Sequence, residues 1–146
     1  MTQDVLTAAH TIDYTYTRST GPVIGAFLTA LRDRRILGVR ARDGRVLVPP
    51  AEYDPVTSED LDELVEVGDA GSVTTWAWNE TPLAGQPLDR PFGWALVKLD
   101  GADTGMLAAV DAGSAAAMRT GMRVQARWAA DRVGSIRDLV CFEPVS

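Results

Sequence analysis

The sequence predicts a mainly β protein with one helix near its N-terminus and a small closed β-barrel in its second half. Two observations carry this prediction: one amphipathic helical stripe follows residue 21, and most apolar runs after residue 63 resemble strands. A third observation, two β-rich runs around a tight turn, adds a small knuckle between them. We expect an extended arm over residues 1–20, the helix and knuckle over 21–62, and the barrel over 63–146.

The N-terminal helix is predicted from its first residues and its apolar spacing. Gly21-Pro22 opens it, because proline suits the first helical position. Arginines in the stretch 32–35 lie at its C-terminal end, where the helix dipole favours cations. The preceding arm is polar, with Tyr14 and Tyr16 alternating among threonines. The apolar stripe of the helix consists of Ile24, Phe27, Leu28 and Leu31.

A knuckle shaped like a zinc ribbon, but without metal, is predicted after the helix. Asp43-Gly44 lies between β-rich runs at 36–39 and 46–48, which is a strong hairpin signal. In a zinc ribbon, pairs of cysteines three residues apart hold the metal at such turns. A guanidinium cannot replace them, and two carboxylates with a hydroxyl make a poor zinc site. The four vacated ligand positions are Arg40, Asp43, Asp54 and Thr57.

Loss of the metal raises the question of what holds the knuckle. A structural zinc contributes folding free energy of order 10 kcal/mol in isolated fingers. An exposed ion pair, such as one among Arg40, Asp43 and Asp54, returns at most about 1 kcal/mol. We therefore expect apolar packing and a bound partner subunit to hold it. The apolar residues available are Ile36, Val39, Leu47 and Tyr53.

The barrel is predicted from a series of short strands bounded by turn residues. One alanine-rich stretch, 112–120, is expected to form a single short helix between them. Five or six strands with one such interruption are typical of an OB-fold barrel. The predicted strands are 64–67, 72–79, 92–99, 105–110, 123–129 and 136–142.

Composition and charge restrict the possible function classes. A net charge of −6 opposes non-specific nucleic-acid binding, and a single cysteine excludes an internal disulfide framework. No stretch approaches the about 18 apolar residues of a membrane span, and the N-terminus lacks signal-peptide features, so we expect a cytoplasmic protein. Six arginines lie between residues 32 and 45, and eight acids lie between 52 and 69. These stretches form either two solvated faces or an anion site and a docking surface.

No catalytic group and no cofactor are predicted for this chain. Its only histidine, His10, lies in the polar arm, and Cys141 lies in an apolar strand, where a buried thiol is expected. Trp76 and Trp78 alternate on one strand and so share a face. They either pack in the barrel or stack a ligand, as exposed aromatics of OB-folds do.

The order of arm, helix, knuckle and barrel resembles a family of small proteins that join a rubredoxin-like zinc ribbon to an OB-fold and are encoded beside thiolases. Within it, the chain is most similar to the branch that partners thiolase-like aldolases in actinobacterial steroid side-chain breakdown. The chain departs from the family in lacking the four ribbon cysteines. The segments that carry the resemblance are 14–19, 37–41, 49–55, 91–101, 121–124 and 140–144.

The resemblance implies a non-catalytic accessory subunit, one part of a carbon–carbon lyase complex. It implies a hetero-oligomer, expected to be a heterotetramer, in which a thiolase-fold aldolase performs retro-aldol cleavage of an acyl-CoA. The candidate contacts to CoA phosphates are Arg40, Arg42 and Arg45. The candidate partner-interface residues are Tyr14, Tyr16, Phe27, Leu31, Trp76 and Trp78.

Two other function classes stay open. Many OB-folds bind single-stranded nucleic acid on their own, which the net charge and the acidic stretch oppose here. An enzyme acting alone on an acyl-CoA is opposed by the lack of paired catalytic groups. Salt-dependent nucleic-acid binding, or retro-aldol activity of the isolated chain, would distinguish these classes from the accessory subunit.

Overall fold

The computed structural model of the protein describes residues 4–145. Within these residues the chain forms one α-helix and eight strands, which build a three-stranded sheet and a closed barrel. The predicted mainly β class with an N-terminal helix and an OB-type barrel is confirmed. The elements are α1 (Pro22–Arg32), β1 (Ile36–Arg40), β2 (Val46–Leu47), β3 (Leu64–Val67), β4 (Ala70–Asn79), β5 (Phe92–Leu99), β6 (Gly105–Val110), β7 (Arg123–Trp128) and β8 (Leu139–Pro144).

The barrel contains five strands in the order β4-β5-β6-β8-β7, and β7 pairs with β4 to close it. Neighbouring strands are antiparallel except β6 and β8, which run parallel and meet at Val110 and Phe142. A five-stranded closed barrel of this kind is an OB-fold. A register shift between Val73 and Thr75 marks a β-bulge, which bends β4 as closure of a small barrel requires.

Alternating side chains of each strand fill the barrel interior. On β5, the side chains of Val97 and Leu99 are buried, whereas those of Leu96 and Lys98 are exposed. Burial of each large apolar side chain contributes about 1.5–3 kcal/mol, so this alternation fixes which face of the strand turns inward. The interior cluster includes Val73, Val97, Leu99, Met106, Val110, Val124 and Phe142.

Helix α1 begins at Pro22, as predicted, but its N-terminal cap comes from a distant part of the chain. Gly21 is extended and offers no side chain, and the Glu52 carboxylate accepts from the backbone N–H of Val23 at 3.2 Å and of Ile24 at 2.8 Å. An acid at this end also suits the helix dipole. The helix is thereby tied to the knuckle loop. Its buried residues are Val23, Phe27, Ala30 and Leu31.

Strand β3 was expected in the barrel but belongs to the three-stranded sheet, whose order is β2-β1-β3. Its pairing with β1 runs from Ile36 opposite Val67 to Val39 opposite Leu64. The prediction of β3 as a barrel strand is therefore wrong, and the first strand of the barrel is β4. The division of the chain at residue 63 stays a prediction. The reason is physical: the hairpin formed by β1 and β2 leaves one edge of β1 open, and an open edge is satisfied by a further strand.

Two side chains of the β5–β6 turn join this sheet to the barrel. Asp103 accepts from the N–H of Val46 at 2.8 Å and donates its own N–H to the Val46 carbonyl at 2.9 Å. The Thr104 hydroxyl lies 2.8 Å from the N–H of Val48 and 3.1 Å from its carbonyl. These reciprocal bonds fix the orientation of the knuckle relative to the barrel.

The predicted helix over residues 112–120 is wrong, since only a 3₁₀ turn at Ala115–Ala117 forms there. Gly113 adopts a left-handed conformation before the turn, and Met118 is extended after it. Met118 is buried in the barrel and lies against Gly93, where a Cβ would come 2.7 Å from its terminal methyl carbon. Anchoring of Met118 in the core therefore interrupts the helix that the alanines favour.

Candidate partner-binding site

Asp54 is the one vacated ligand position that holds the knuckle together. Its carboxylate is 3% exposed and accepts three backbone N–H bonds, from Arg42 at 2.8 Å, Val56 at 2.8 Å and Thr57 at 2.9 Å. The first of these donors belongs to the β1–β2 turn and the others to the following loop. The carboxylate thus cross-links the two loops that metal ligands would join in a ribbon.

These bonds make the knuckle sensitive to acid. The N–H of Arg42, then those of Thr57 and Val56, lower the pKa of the Asp54 carboxyl below its ordinary value. A carboxyl whose pKa is lower in the folded than in the unfolded state stabilises the fold above its unfolded pKa of about 3.9. This stabilisation is lost as the pH falls through the lower, folded-state pKa.

We expect Asp54→Asn to lower the midpoint of thermal unfolding by several degrees at neutral pH, because an amide N–H₂ would replace one of the two acceptor oxygens. The difference from wild type should begin to shrink as the pH approaches the unfolded pKa of about 3.9, and it should shrink further as the pH falls through the lower, folded-state pKa. Calorimetry at pH values above and below this pKa measures the difference in thermal midpoint. Asp62→Asn, an exposed acid in the same segment, is the control and should leave the midpoint unchanged. Equal shifts in both variants would contradict the role of Asp54.

The other three vacated positions have separate partners. Arg40 contacts Glu63 at 2.8 Å, Asp43 contacts Arg45 at 2.7 Å, and Thr57 donates to a further acid. A zinc ion does not fit this set, because its members point to different partners and one is a guanidinium. Within residues 4–145, no group of three or more histidine, cysteine, aspartate or glutamate side chains is placed to hold a metal.

The basic and acidic stretches meet instead of forming two separate faces. Arg35 contacts Glu66 at 2.7 Å, and Arg42 lies 3.5 Å from Glu59. Each pair is solvent-exposed and contributes at most about 1 kcal/mol. The structure thus corrects the picture of opposite faces. Contacts of Arg40, Arg42 and Arg45 with CoA phosphates stay a prediction, and they would require exchange of these carboxylate partners.

The prediction that Phe27 and Leu31 lie in a partner interface is wrong. These residues are 3% and 0% exposed, and they pack in the protein's own core. Trp76 and Trp78 are half-buried and also pack against that core. The helical stripe was correctly predicted as apolar, but the sequence does not distinguish burial within the chain from burial by a partner. The role of the two tryptophans in an interface stays a prediction.

The arm, by contrast, is exposed along its whole described length from residue 4 to residue 20. It forms no helix or strand, and in the described part of the chain no hydrogen bond joins it to the body. The Tyr14 and Tyr16 rings lie 6.1 Å apart, in contact with each other and not with the core. Five large apolar or aromatic side chains of the arm are 75–96% exposed: Val5, Leu6, Ile12, Tyr14 and Tyr16.

A second exposed apolar feature, which was not predicted, is a groove on the outer surface of the barrel. It has a volume of about 470 Å³ and lies between β5, β6, the β4–β5 loop and the segment leading into β8. The alternation of β5 and β6 could have located it, because apolar residues occupy outward positions of both strands. The lining of this barrel groove includes Pro87, Trp94, Leu107, Ile136, Arg137 and Val140.

One wall of the barrel groove is the loop before β8, which Asp138 holds rigid. Its buried carboxylate accepts from the N–H of Val133, Gly134 and Ser135 at 3.1, 2.7 and 3.1 Å. Burial would raise the pKa of Asp138, but these three donors outweigh it and lower the pKa below its ordinary value. Arg132 ties the same loop to α1, donating to the final helical carbonyl at 2.8 Å.

Cys141 and His10 are the described residues that the sequence offered as possible reactive groups, and neither provides a nucleophile at the barrel groove. Cys141 is buried, as predicted, and burial raises the pKa of its thiol to about 11, so it is protonated at neutral pH. His10 is exposed in the arm. The groove can therefore bind apolar groups, but it brings together no pair of side chains suited to acid–base or nucleophilic chemistry.

The fold and groove define an OB-fold protein with an N-terminal helix and small sheet. Residues 64–129 match the family described as ChsH2, C-terminal OB-fold domain. Over this segment the chain is similar to the OB-fold domain of that family. A comparison with curated proteins gave no match. None of the helices within residues 4–145 has the length and apolar character needed to cross a membrane.

Two solved structures share the fold. One, described as Ltp2-ChsH2(DUF35) aldolase, is 20% identical, with a TM-score of 0.64, and the match covers 88% of this chain and 98% of that chain. The other is a protein of unknown function of the DUF35 family from Sulfolobus solfataricus, 22% identical, with a TM-score of 0.58 and coverage of 73% and 78%. At these identities the likeness establishes the fold.

Proposed function

We propose that this protein is a non-catalytic accessory subunit that binds and stabilises a thiolase-fold aldolase. The aldolase would cleave an acyl-CoA by a retro-aldol reaction, in steroid side-chain degradation. The proposal is supported by the ChsH2-like barrel and by the fold shared with a protein described as part of an Ltp2-ChsH2(DUF35) aldolase.

The observation that carries the proposal is the exposed arm. Five large side chains that are 75–96% exposed on a segment without packing of its own are unfavourable in water. Apolar surface concentrated in this way marks an interaction site. An arm that becomes ordered only against a partner suits an obligate or stabilising subunit, because ordering and burial then occur together. We expect the assembly to be a hetero-oligomer, namely a heterotetramer.

Co-expression with the thiolase-like aldolase subunit of the same organism tests this function. We expect both chains to elute together in size-exclusion chromatography, with a mass close to that of a heterotetramer. Retro-aldol cleavage should be measured for each chain alone and for the complex. The isolated chain should be inactive, and the complex should be more active or more stable than the aldolase alone. A chain that stays monomeric beside a soluble aldolase would refute the proposal.

A stand-alone single-strand nucleic-acid binder is less well supported. Such proteins combine stacking aromatics with a cationic groove that follows the phosphates. Among the lining residues of the barrel groove, Arg137 alone carries a formal charge, and Trp94 is half-buried. With a net charge of −6, the protein would repel the phosphate backbone at long range.

A further inference from the structure

The outer face of the barrel carries exposed apolar side chains that are not part of the buried core. Leu96 of β5 and Leu107 of β6 are directly paired across the two strands, so their side chains lie side by side on this face. They are 38% and 63% exposed. A shallow depression extends this surface past Leu96 to Thr75 of β4, and Trp94 and Leu107 line both the depression and the barrel groove.

The far wall of the groove adds a further exposed apolar side chain. Ile136, 54% exposed, is presented by the loop that Asp138 fixes through three backbone N–H bonds. A loop constrained in this way holds Ile136 in place without the cost of ordering it on binding. Leu107 and Ile136 therefore form two walls of a preformed site.

The charges on this face favour one kind of occupant. Of the groove-lining residues, Arg137 alone is charged, and exposed Lys98 follows Leu96 by two positions and so shares its face. The net charge of the whole protein is nevertheless −6. Arg137 is thus a local cation at the groove of an acidic protein, complementary to a carboxylate of a partner segment, and such complementarity guides association.

We propose that the barrel groove docks the aldolase subunit, through a segment that inserts apolar side chains between Leu107 and Ile136 and places a carboxylate against Arg137. This inference rests on the proposed function, and it identifies the barrel groove as the surface of the barrel that contacts the aldolase. A groove open along two exposed side chains suits a protein segment better than a small ligand, which sites usually enclose over most of its surface. Phosphates would find too few cations here.

The test measures the affinity of the full chain for the aldolase subunit, with three variants. Leu107→Asp and Ile136→Asp should each weaken binding by about tenfold or more, because each places a charge in an apolar contact. Arg137→Glu should weaken binding at low salt, and the difference from wild type should shrink at high salt. Circular dichroism and the thermal midpoint should stay at the wild-type values, since all three side chains are exposed.

Val133→Asp is the matched control, because it adds the same charge to the same loop at a residue that is 79% exposed and lies outside the groove lining. It should bind like wild type. Wild-type affinity in Leu107→Asp and Ile136→Asp would overturn this inference while leaving the accessory function intact. No binding by the wild-type chain would overturn both. Loss of self-association in Leu107→Asp, or of binding to a labelled single strand, would assign the groove to another occupant and overturn it as well.

Discussion

Phe27→Ala should lower the free energy of unfolding by about 3–5 kcal/mol, because it removes a ring from a closely packed core. Phe27 is 3% exposed and belongs to the same buried cluster as Leu31 of the helix and Val48 of the knuckle. The ring therefore joins α1 to both the small sheet and the barrel. The resulting cavity cannot collapse easily, since the backbone around Val48 is fixed by its hydrogen bonds to Thr104.

Chemical denaturation of the isolated chain measures this effect, and the tyrosines of the arm provide the control. Tyr14→Ala and Tyr16→Ala remove rings of similar size from exposed positions and should change the free energy of unfolding by at most about 0.5 kcal/mol. If Phe27→Ala were as stable as these variants and instead weakened partner binding, the original assignment of Phe27 to an interface would be right and its burial in the core wrong.

Much of the fold could be predicted because local periodicity determines it. The predicted runs 92–99 and 105–110 coincide with β5 and β6, since turn residues bound both strands and side chains alternate along them. Predictions from local patterns were wrong where contacts between distant parts of the sequence determine the structure. The alanines near residue 115 favour a helix, but Met118 is held in the barrel against Gly93. The pairing of β3 with β1 is likewise invisible to a local pattern.

The candidate site was less predictable because its parts lie far apart in the sequence. The arm could be found, since its tyrosines alternate in a polar segment. The barrel groove combines Trp94, Leu107 and Ile136 from three segments, and only the closed barrel brings them together. The vacated knuckle was predicted to be metal-free, but the sequence did not indicate that Asp54 would bind three backbone N–H groups. The bonds from Val56 and Thr57 are local ones that an aspartate favours, but the bond from Arg42 forms only because the fold brings the two loops together.

Deletion of residues 1–20 should weaken association with the aldolase subunit by at least about a hundredfold while leaving the body folded. A hundredfold loss is about 2.7 kcal/mol, which is what one or two well-buried interface residues contribute. The body should tolerate the deletion because α1 is held by contacts that lie beyond the arm, including the hydrogen bonds that the N–H groups of Val23 and Ile24 donate to Glu52. We expect the thermal midpoint of the isolated chain to change by at most about 2 °C.

A full-length variant tests whether the apolar side chains of the arm, and not only its length and backbone, contribute to partner binding. Ile12→Ser, Tyr14→Ser and Tyr16→Ser together keep the length and charge of the arm but remove three exposed apolar groups that alternate along it. If these groups anchor the partner, the triple variant should lose most of the affinity that the deletion loses, chiefly through faster dissociation. Wild-type affinity in the triple variant would show that the arm acts through its backbone or its length. Wild-type affinity in the deletion as well would leave the barrel groove as the principal contact and would refute the role of the arm.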